Sequence, residues 1–379
     1  MRIAVACLDP GIPLDGTKGA AVHLRSLVRA LHARGHRISV FAVRGGAIPG
    51  ADGVTLVADG GEPARAAILA KNAADPAAPF DAVYERLALF ATGASRAARE
   101  LAIPHVLEVN APLADEASLW RGLGDKAVAA KEAEAAVIAS ADAVLPVSTA
   151  LARHAVRLGA ASGRVRVVPN AVDPALFSPA PRAPRRAGEP FTVGFVGSLK
   201  PWHGLDLLAR TLELAARAGL AHWRARVVGD GPGRESLELR LASFGFGPER
   251  AAFTGAVPHE SVPKEMALFD AAVVPYEDLP GFYFSPLKLY EALASGVPVV
   301  ATDSGDVADA LDGGRLGSLV PPGNANALFE ALRAIDLDPA GAAARAREAG
   351  ARVRAERSWD RNAETVESVI LALGARAGS

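Results

Sequence analysis

The chain has 379 residues, of which 50% are hydrophobic, and its 41 basic and 42 acidic side chains give a formal net charge of -1. This length predicts two or three domains with well-packed cores, and the balanced charge argues against a nucleic-acid partner, which needs a strongly basic surface. The single cysteine, Cys7, cannot form an internal disulfide, and we expect a buried thiol in a cytoplasmic protein.

Membrane association is predicted to be peripheral at most. Residues 1–10 form a short apolar run and a turn, without the long hydrophobic region and cleavage site of a signal peptide. No stretch approaches the roughly 18 apolar residues that a membrane span needs. Arg25, Arg29 and Arg34 recur beside hydrophobic residues on one predicted helix. A solvated helix face is the favoured interpretation, and peripheral contact with the inner membrane face is the alternative.

Short β-branched runs alternate with longer amphipathic segments in the first half of the chain. The alternation predicts a first helix over 19–35 and strands over 2–8, 37–43, 81–84, 105–109, 143–147 and 165–168. Strands interleaved with helices of this length indicate a parallel, doubly wound sheet. The near-continuous apolar strands fit a sheet covered on both faces.

A proline- and arginine-rich segment, 178–190, interrupts this pattern and is typical of an interdomain linker. The alternation then restarts, with predicted strands over 191–199, 224–231, 251–255, 271–276 and 297–303 and a helical segment over 337–375.

The sequence therefore predicts an α/β protein with two Rossmann-like, doubly wound domains that face each other across a cleft. The predicted parts are an N-terminal domain (1–178), a linker (179–190), a C-terminal domain (191–360) and a terminal helix (361–379) free to pack back on the N-terminal domain.

The segment VGSLKPWHGLDLL, residues 196–208, follows a predicted strand and opens a helix. Gly197 allows a ligand to approach the backbone, and Lys200 and His203 lie in the turn before Gly204. Cations near a helix N terminus suit a phosphate group. The alternative is an ordinary strand-to-helix loop with incidental charges. Two further glycine turns, in 227–237 and 253–266, have at least as good a structural explanation as a ligand-binding one.

The segment SPLKLYEALASG, residues 285–296, predicts a capped helix with charged groups in its first turns. Ser285 is the expected N-cap and Pro286 the first helical residue. The free amides of Leu287 and Lys288 would then face a diphosphate, and Glu291 would accept hydrogen bonds from two ribose hydroxyls. The alternative is that Lys288 and Glu291 form a solvated pair of small energy.

These segments resemble glycosyltransferase family 4, whose members are retaining enzymes of GT-B architecture. The resemblance rests on GSLKPWHG, VVGDGPGR, FTGAVPHESVP and SPLKLYEALASGVPVVAT in the second half, and on DGTKGAAVHLRSLVRALHARGHRISVF, YERLALF and LEVNAPL in the first. It spans nearly the whole chain. It implies transfer of a hexose-type sugar from a nucleoside-diphosphate donor, with UDP favoured, to an acceptor, without a metal or other cofactor.

The resemblance also implies that the N-terminal domain binds the acceptor and the C-terminal domain binds the donor, and it implies roles for individual residues. The implied donor-binding residues are Gly19, Ala20, Gly197, Ser198, His203, Ser285, Leu287, Lys288 and Glu291. Lys200 and Asn110 are the implied catalytic residues. Lys200 would stabilise the leaving diphosphate, and Asn110 stands where the family has a histidine near the reacting sugar.

The sequence departs from the family pattern at the donor site. Tyr283 replaces the first of two glutamates, so Tyr283 and Phe284 are predicted to line the donor-sugar pocket. Ser198 and His203 replace the arginine and lysine that usually hold the phosphates. These departures leave two alternatives open, a nucleotide-sugar epimerase of the same architecture and a weakly active nucleotide-sugar binding protein. The sequence does not specify the sugar, the base, the acceptor or the oligomeric state.

Overall fold

The computed structural model describes residues 1–120, 122–180, 185–186, 189–277 and 281–377. The chain divides into two compact units. Unit 1 comprises Met1–Asn170 and Trp359–Ser379, and unit 2 comprises Ala171–Ser358. The predicted linker, 179–190, lies in the sequence of unit 2 and falls partly outside the described residues.

Unit 1 is built on a six-stranded parallel sheet. Its strands are β1 (Arg2–Cys7), β2 (Arg37–Ala42), β3 (Gly53–Leu56), β4 (Ala82–Arg86), β5 (His105–Val109) and β6 (Ala143–Pro146). The strand order is β3-β2-β1-β4-β5-β6, so the chain reverses its direction of travel across the sheet between β1 and β4. Such a reversal, a topological switch point, is where ligands bind in open parallel sheets.

Helices cover this sheet. They are α1 (Gly19–Ala33), α2 (Glu62–Ala73), α3 (Gly93–Leu101), α4 (Leu113–Trp120), α5 (Ala127–Ser140) and α6 (Thr149–Arg157). The buried face of α1 includes Leu24, Leu27 and Leu31, which recur at helical spacing. This apolar stripe holds the helix on the sheet.

Unit 2 repeats the same topology. Its strands are β7 (Phe191–Val196), β8 (Trp223–Val228), β9 (Ala251–Phe253), β10 (Ala271–Val274), β11 (Val299–Thr302) and β12 (Ser318–Val320), in the order β12-β11-β10-β7-β8-β9. The switch point of this sheet therefore lies between β7 and β10, which pair in parallel.

The helices of unit 2 enclose two apolar layers. They are α7 (Leu205–Arg217), α8 (Arg234–Ser243), α9 (Val262–Met266), α10 (Leu287–Ala294), α11 (Val307–Ala310), α12 (Ala325–Leu337) and α13 (Pro339–Glu356). One layer is centred on the buried Trp223 and Leu207. The other contains Phe269, Leu289 and Tyr290. This second layer fixes α10, and with it the candidate site described below.

The terminal helix, α14 (Trp359–Ala377), belongs to unit 1 and packs against α1. Arg34 donates hydrogen bonds from Nε and Nη2 to Oε2 of Glu367, at 2.8 and 2.6 Å. Arg25 donates to the carbonyl oxygens of Leu14 and Gly16, at 2.7 Å each. Arg25 and Arg34, which were considered for membrane contact, thus form hydrogen bonds within unit 1. None of the helices in the described ranges is long and apolar enough to cross a membrane.

The predicted α/β class with two doubly wound sheets is confirmed, but three segments differ. The predicted strand over 165–168 is wrong. It contributes one isolated bridge, Val165 to Val144, beside β6. The edge strands β3 and β12 were not predicted. Both are short and only half-buried, so they lack the apolar runs of the central strands.

Candidate functional site

The candidate site of unit 2 lies at its switch point, where Gly197 follows β7 and Tyr276 follows the end of β10. The turn after β7 packs closely on the residues that follow β10. A Cβ atom at Gly204 would lie 1.3 Å from the carbonyl oxygen of Pro275, and Gly204 has a φ of +70°. Only glycine fits there, so the turn is fixed at the edge of the sheet.

Lys288, in the first turn of α10, extends its amine towards this turn. The residue is partly exposed, but Nζ is buried, and no residue of the described ranges accepts a hydrogen bond from it. Nζ lies 4.3 Å from the ring centroid of Phe195 and 5.6 Å from that of Tyr276. A Cβ atom at Gly197 would lie 2.9 Å from Nζ, so the missing side chain at 197 makes room for the amine.

Burial lowers the pKa of Lys288 to about 7, although nearby Glu291 acts in the opposite direction. Aromatic faces attract a cation, but they do not replace the hydrogen bonds that an ammonium group makes in water. A buried amine without an acceptor is costly unless an anion binds beside it. The geometry therefore suits an anionic group at the switch point.

His203 is close to this amine, but it is not a second cation. Its Nδ1–H donates to the carbonyl oxygen of Ser198 within the same turn. Burial, together with the charges of Lys288 and Lys200, lowers the pKa of His203 to about 3. In the free protein the ring is therefore neutral at physiological pH, with Nε2 as a hydrogen-bond acceptor, and the predicted role of His203 in donor binding stays a prediction.

Lys200 lies beside Trp202, with Nζ 5.8 Å from the ring centroid, and is half-buried. It precedes a 3-10 turn, Pro201–His203, that leads into α7. Its predicted catalytic role stays a prediction.

The N terminus of α10 differs from the prediction in its capping. Pro286 is the N-cap, with φ of -76° and ψ of 114°, and Leu287 is the first helical residue. Ser285 is buried, and its hydroxyl forms a hydrogen bond with the side chain of Tyr290. The extended backbone at Pro286 delays the helix by one residue. The amides of Leu287 and Lys288 still lie in the first turn, where no intrahelical acceptor exists.

Glu291 is buried one turn after Lys288 and forms a pair with His259. His259 Nε2 donates to Glu291 Oε1 at 2.7 Å, and the two side chains are 12% and 8% exposed. The alternative that Lys288 and Glu291 form a solvated pair is therefore wrong. His259 was not predicted as a site residue. It lies in FTGAVPHESVP, but no spacing rule links it to Glu291.

The aromatic loop before α10 packs against Tyr276, whose ring lies near the amine of Lys288. Phe284 stacks on Tyr276 at a centroid distance of 5.9 Å and an interplanar angle of 10°. Tyr283 lies 4.4 Å from Phe284, centroid to centroid, and is half-exposed. Phe282 and Phe284 pack on the apolar layer of unit 2. The structure thus shows Phe284 supporting Tyr276, and a role of Tyr283 or Phe284 at a sugar stays a prediction.

The remaining predicted residues lie in unit 1. Gly19 and Ala20 form the first residues of α1. Asn110 follows β5, and its amide nitrogen donates to Oε1 of Glu108. Since ionised Glu108 only accepts hydrogen bonds, the Asn110 amide oxygen is the end that stays available to a ligand.

Glu108 is the centre of a buried polar network that the sequence interpretation missed. Its carboxylate accepts hydrogen bonds from His23 Nε2 at 2.6 Å, from Arg86 Nη1 at 2.8 Å and from the Tyr84 hydroxyl. Burial would raise the pKa of Glu108, but His23, Arg86 and Tyr84 together hold it well below its usual range. The available signal was charge inside apolar strands, namely Arg86 in β4 and Glu108 in β5.

Two doubly wound units of this strand order form the GT-B fold, which solved glycosyltransferase structures share. Residues 17–176 match the model of Glycosyltransferase Family 4, and residues 190–336 match that of Glycosyl transferases group 1. The chain belongs to the group 1 glycosyltransferases of family 4.

Named relatives agree with this assignment. A 2-deoxystreptamine glucosyltransferase of Streptomyces kanamyceticus is 32% identical over 215 residues, covering 54% of this chain and 52% of the relative. A D-inositol 3-phosphate glycosyltransferase of Nocardia farcinica is 34% identical over 286 residues, covering 69% and 60%. This chain thus spans about half the length of the curated relatives it matches.

Solved structures share the fold. HepE of Anabaena in complex with UDP-glucose superposes with a TM-score of 0.75 at 19% identity, covering 98% of this chain and 100% of HepE. At 19% sequence identity, this structural similarity establishes that the two chains share a fold.

Proposed function

We propose that this chain transfers a hexose-type sugar, with retention, from a nucleoside-diphosphate donor to a hydroxyl group of an acceptor. The observation that carries the proposal is the buried amine of Lys288, which faces the switch point of unit 2 without an anionic hydrogen-bond partner among the described residues. A diphosphate would supply that partner. UDP is the first nucleotide to test, because HepE, which has the same fold, holds UDP-glucose.

The proposed reaction requires a positive electrostatic potential at the leaving diphosphate. As the bond from the anomeric carbon to the diphosphate oxygen breaks, negative charge develops on the diphosphate. Lys288 and the first-turn amides of α10 would stabilise that charge, with Lys200 as a further cation. The acceptor oxygen bonds to the anomeric carbon on the same face, and its proton passes to an oxygen of the leaving diphosphate. This route needs no side-chain nucleophile.

The relatives named above are both transferases, which does not favour the epimerase and binding-protein alternatives. The acceptors in the names of these relatives, 2-deoxystreptamine and D-inositol 3-phosphate, are a cyclitol and a cyclitol phosphate, so we choose cyclitols as the first acceptors to test. We also propose a cytoplasmic location, which the single, buried Cys7 supports.

The test of the proposed function is acceptor-dependent release of nucleoside diphosphate. UDP-glucose, UDP-galactose, UDP-N-acetylglucosamine and GDP-mannose are each incubated with the cyclitols, and products are resolved by mass spectrometry. We expect a glycosylated acceptor and equimolar nucleotide with at least one donor. Epimerised donor, or nucleotide binding without turnover for every acceptor, would contradict the proposal.

Chelation of metal ions is expected to leave turnover unchanged. In the proposed mechanism Lys288 and the α10 amides supply the charge that a bound cation provides in metal-dependent transferases. The measurement compares initial rates with and without excess EDTA. A rate that falls on chelation and recovers with added Mg²⁺ or Mn²⁺ would show that the site uses a metal.

Replacement of Glu291 by alanine is expected to weaken nucleotide binding by roughly ten- to hundredfold, because hydrogen bonds to a charged group contribute about 1.5–3 kcal/mol. Calorimetric titration with UDP measures the change. Glu249→Ala is the matched control, since Glu249 is an exposed carboxylate of the same unit. Equal affinities of Glu291→Ala and the wild type would remove Glu291 from the site.

Nucleotide affinity is expected to fall as pH rises above about 7. Burial sets the pKa of Lys288 near 7 in the free protein, and a bound diphosphate would raise it. Between these two pKa values binding takes up a proton, so the affinity declines with pH, by at most tenfold per pH unit. Titrations from pH 7 to 9, in two buffers of different ionisation enthalpy, measure the slope and the proton uptake. A flat profile would contradict this linkage.

A further inference from the structure

We propose that His259 is a positioning residue for donor binding, which orients the carboxylate of Glu291 towards the ribose of the nucleotide. The inference rests on the proposed function, since it presumes a nucleoside-diphosphate ligand in unit 2. His259 carries no predicted role, and it would act only through Glu291.

The imidazole of His259 is itself held in place. It begins a short 3-10 turn, His259–Ser261, after Pro258. Its ring lies 5.2 Å from the ring of Phe177, centroid to centroid, and Phe177 is fully buried in the apolar layer of unit 2. A ring that packs on core and is 12% exposed has few alternative rotamers. His259 therefore offers its Nε2–H from a fixed position.

This fixed donor determines how Glu291 can meet a ligand. Nε2 of His259 donates a hydrogen bond to Oε1 of Glu291 at 2.7 Å, and no described residue donates to Oε2 of Glu291. A glutamate side chain loses considerable rotamer freedom when it is ordered, and His259 imposes that order before the ligand arrives. One carboxylate oxygen thus remains for the ribose hydroxyls.

The consequence is a preference for ribonucleotides that depends on His259. A site built to bond a hydroxyl discriminates strongly against an analogue that lacks it, because a buried polar group is then left unpaired. Without His259 the Glu291 carboxylate is free to rotate away from the ribose, and the preference should shrink. A histidine that only packed the loop would affect ribo- and deoxynucleotides equally.

The test compares UDP and GDP with their 2′-deoxy counterparts by calorimetric titration. His259→Ala is expected to weaken binding of the tighter ribonucleotide by about tenfold and to leave its 2′-deoxy analogue within about threefold of the wild type. His259→Gln keeps an N–H donor at nearly the same reach and should retain affinity within about threefold. His222→Ala is the matched control, because His222 pairs with a carboxylate, Asp336, elsewhere in the same unit.

A double-mutant cycle with Glu291→Ala gives the second measurement. If His259 acts through Glu291, the effect of His259→Ala disappears in the Glu291→Ala background. Unchanged or tighter UDP binding by His259→Ala, or equal losses for UDP and 2′-deoxy-UDP, would overturn the inference while the proposed function stands. Failure of the wild type to bind any nucleoside diphosphate would overturn both. Should His259→Ala fold poorly, a loss of ribonucleotide preference in His259→Gln would likewise count against the inference.

Discussion

Replacement of Lys288 by methionine is expected to remove most of the transferase activity and, at the same time, to make the free protein more stable. The amine stabilises a developing charge only when donor is bound, and the loss of one such electrostatic group costs about 10²–10³ in turnover. In the free protein the same amine is buried without an acceptor, so its removal should raise the free energy of unfolding by about 1–3 kcal/mol.

These opposite changes separate a ligand-binding lysine from a structural one. Turnover, UDP affinity and thermal unfolding are measured on Lys288→Met and on Lys264→Met, an exposed lysine of the same unit. Lys264→Met should match the wild type in turnover, in UDP affinity and in thermal unfolding. A Lys288→Met protein that lost stability would show that the amine has an acceptor, and one that kept full activity would exclude Lys288 from the donor site.

Replacement of Glu108 by glutamine is expected to destabilise unit 1 by about 3–5 kcal/mol, the typical cost of removing one partner of a buried ion pair. Glutamine keeps the volume of the side chain but leaves Arg86 buried, at 8% exposure, without its carboxylate. The Asn110 amide also loses its charged acceptor, so its amide oxygen is no longer fixed as the outward group.

The effect should depend on pH with a definite sign. His23, Arg86 and Tyr84 hold the folded pKa of Glu108 below the ordinary value of 4.5. The stabilisation by its charge is therefore fully present above about pH 4.5 and is lost as the pH falls towards the lower folded pKa. The stability difference between the wild type and Glu108→Gln should shrink over that acidic range.

The measurement is urea unfolding at pH 7 and at pH 4, monitored by the hydrogen exchange of the β4 and β5 amides. These amides report on the stability of unit 1 separately from that of unit 2. Glu62→Gln serves as the control, because the Glu62 side chain is 55% exposed and pairs with Arg65 and Arg96 on the surface of unit 1. Equal stabilities of Glu108→Gln and Glu62→Gln at pH 7 would show that the network contributes little.

The sequence by itself determined the fold class, because apolar strands and amphipathic helices alternate with clear periods. The central strands β1, β7 and β10 are mostly apolar and buried, so the residues themselves predict their burial. Local sequence patterns also predicted the glycine turn at 197–204 and the charged start of the helix at Leu287–Lys288. The prediction failed at one edge of each sheet, where the short strands β3 and β12 have too few buried residues to form a recognisable pattern.

Only the tertiary structure decided which of these groups meet and which are charged. The sequence predicts His203 as a phosphate-binding cation, but burial beside Lys288 lowers its pKa in the free protein, and no sequence rule reports that burial. Glu291 and His259 are far apart in the chain, as are His23 and Glu108, and folding alone brings each pair within hydrogen-bond distance. Local sequence patterns fix secondary structure through periods of two and 3.6 residues. Protonation and pairing depend on solvent exclusion and on long-range contacts, which those periods do not encode.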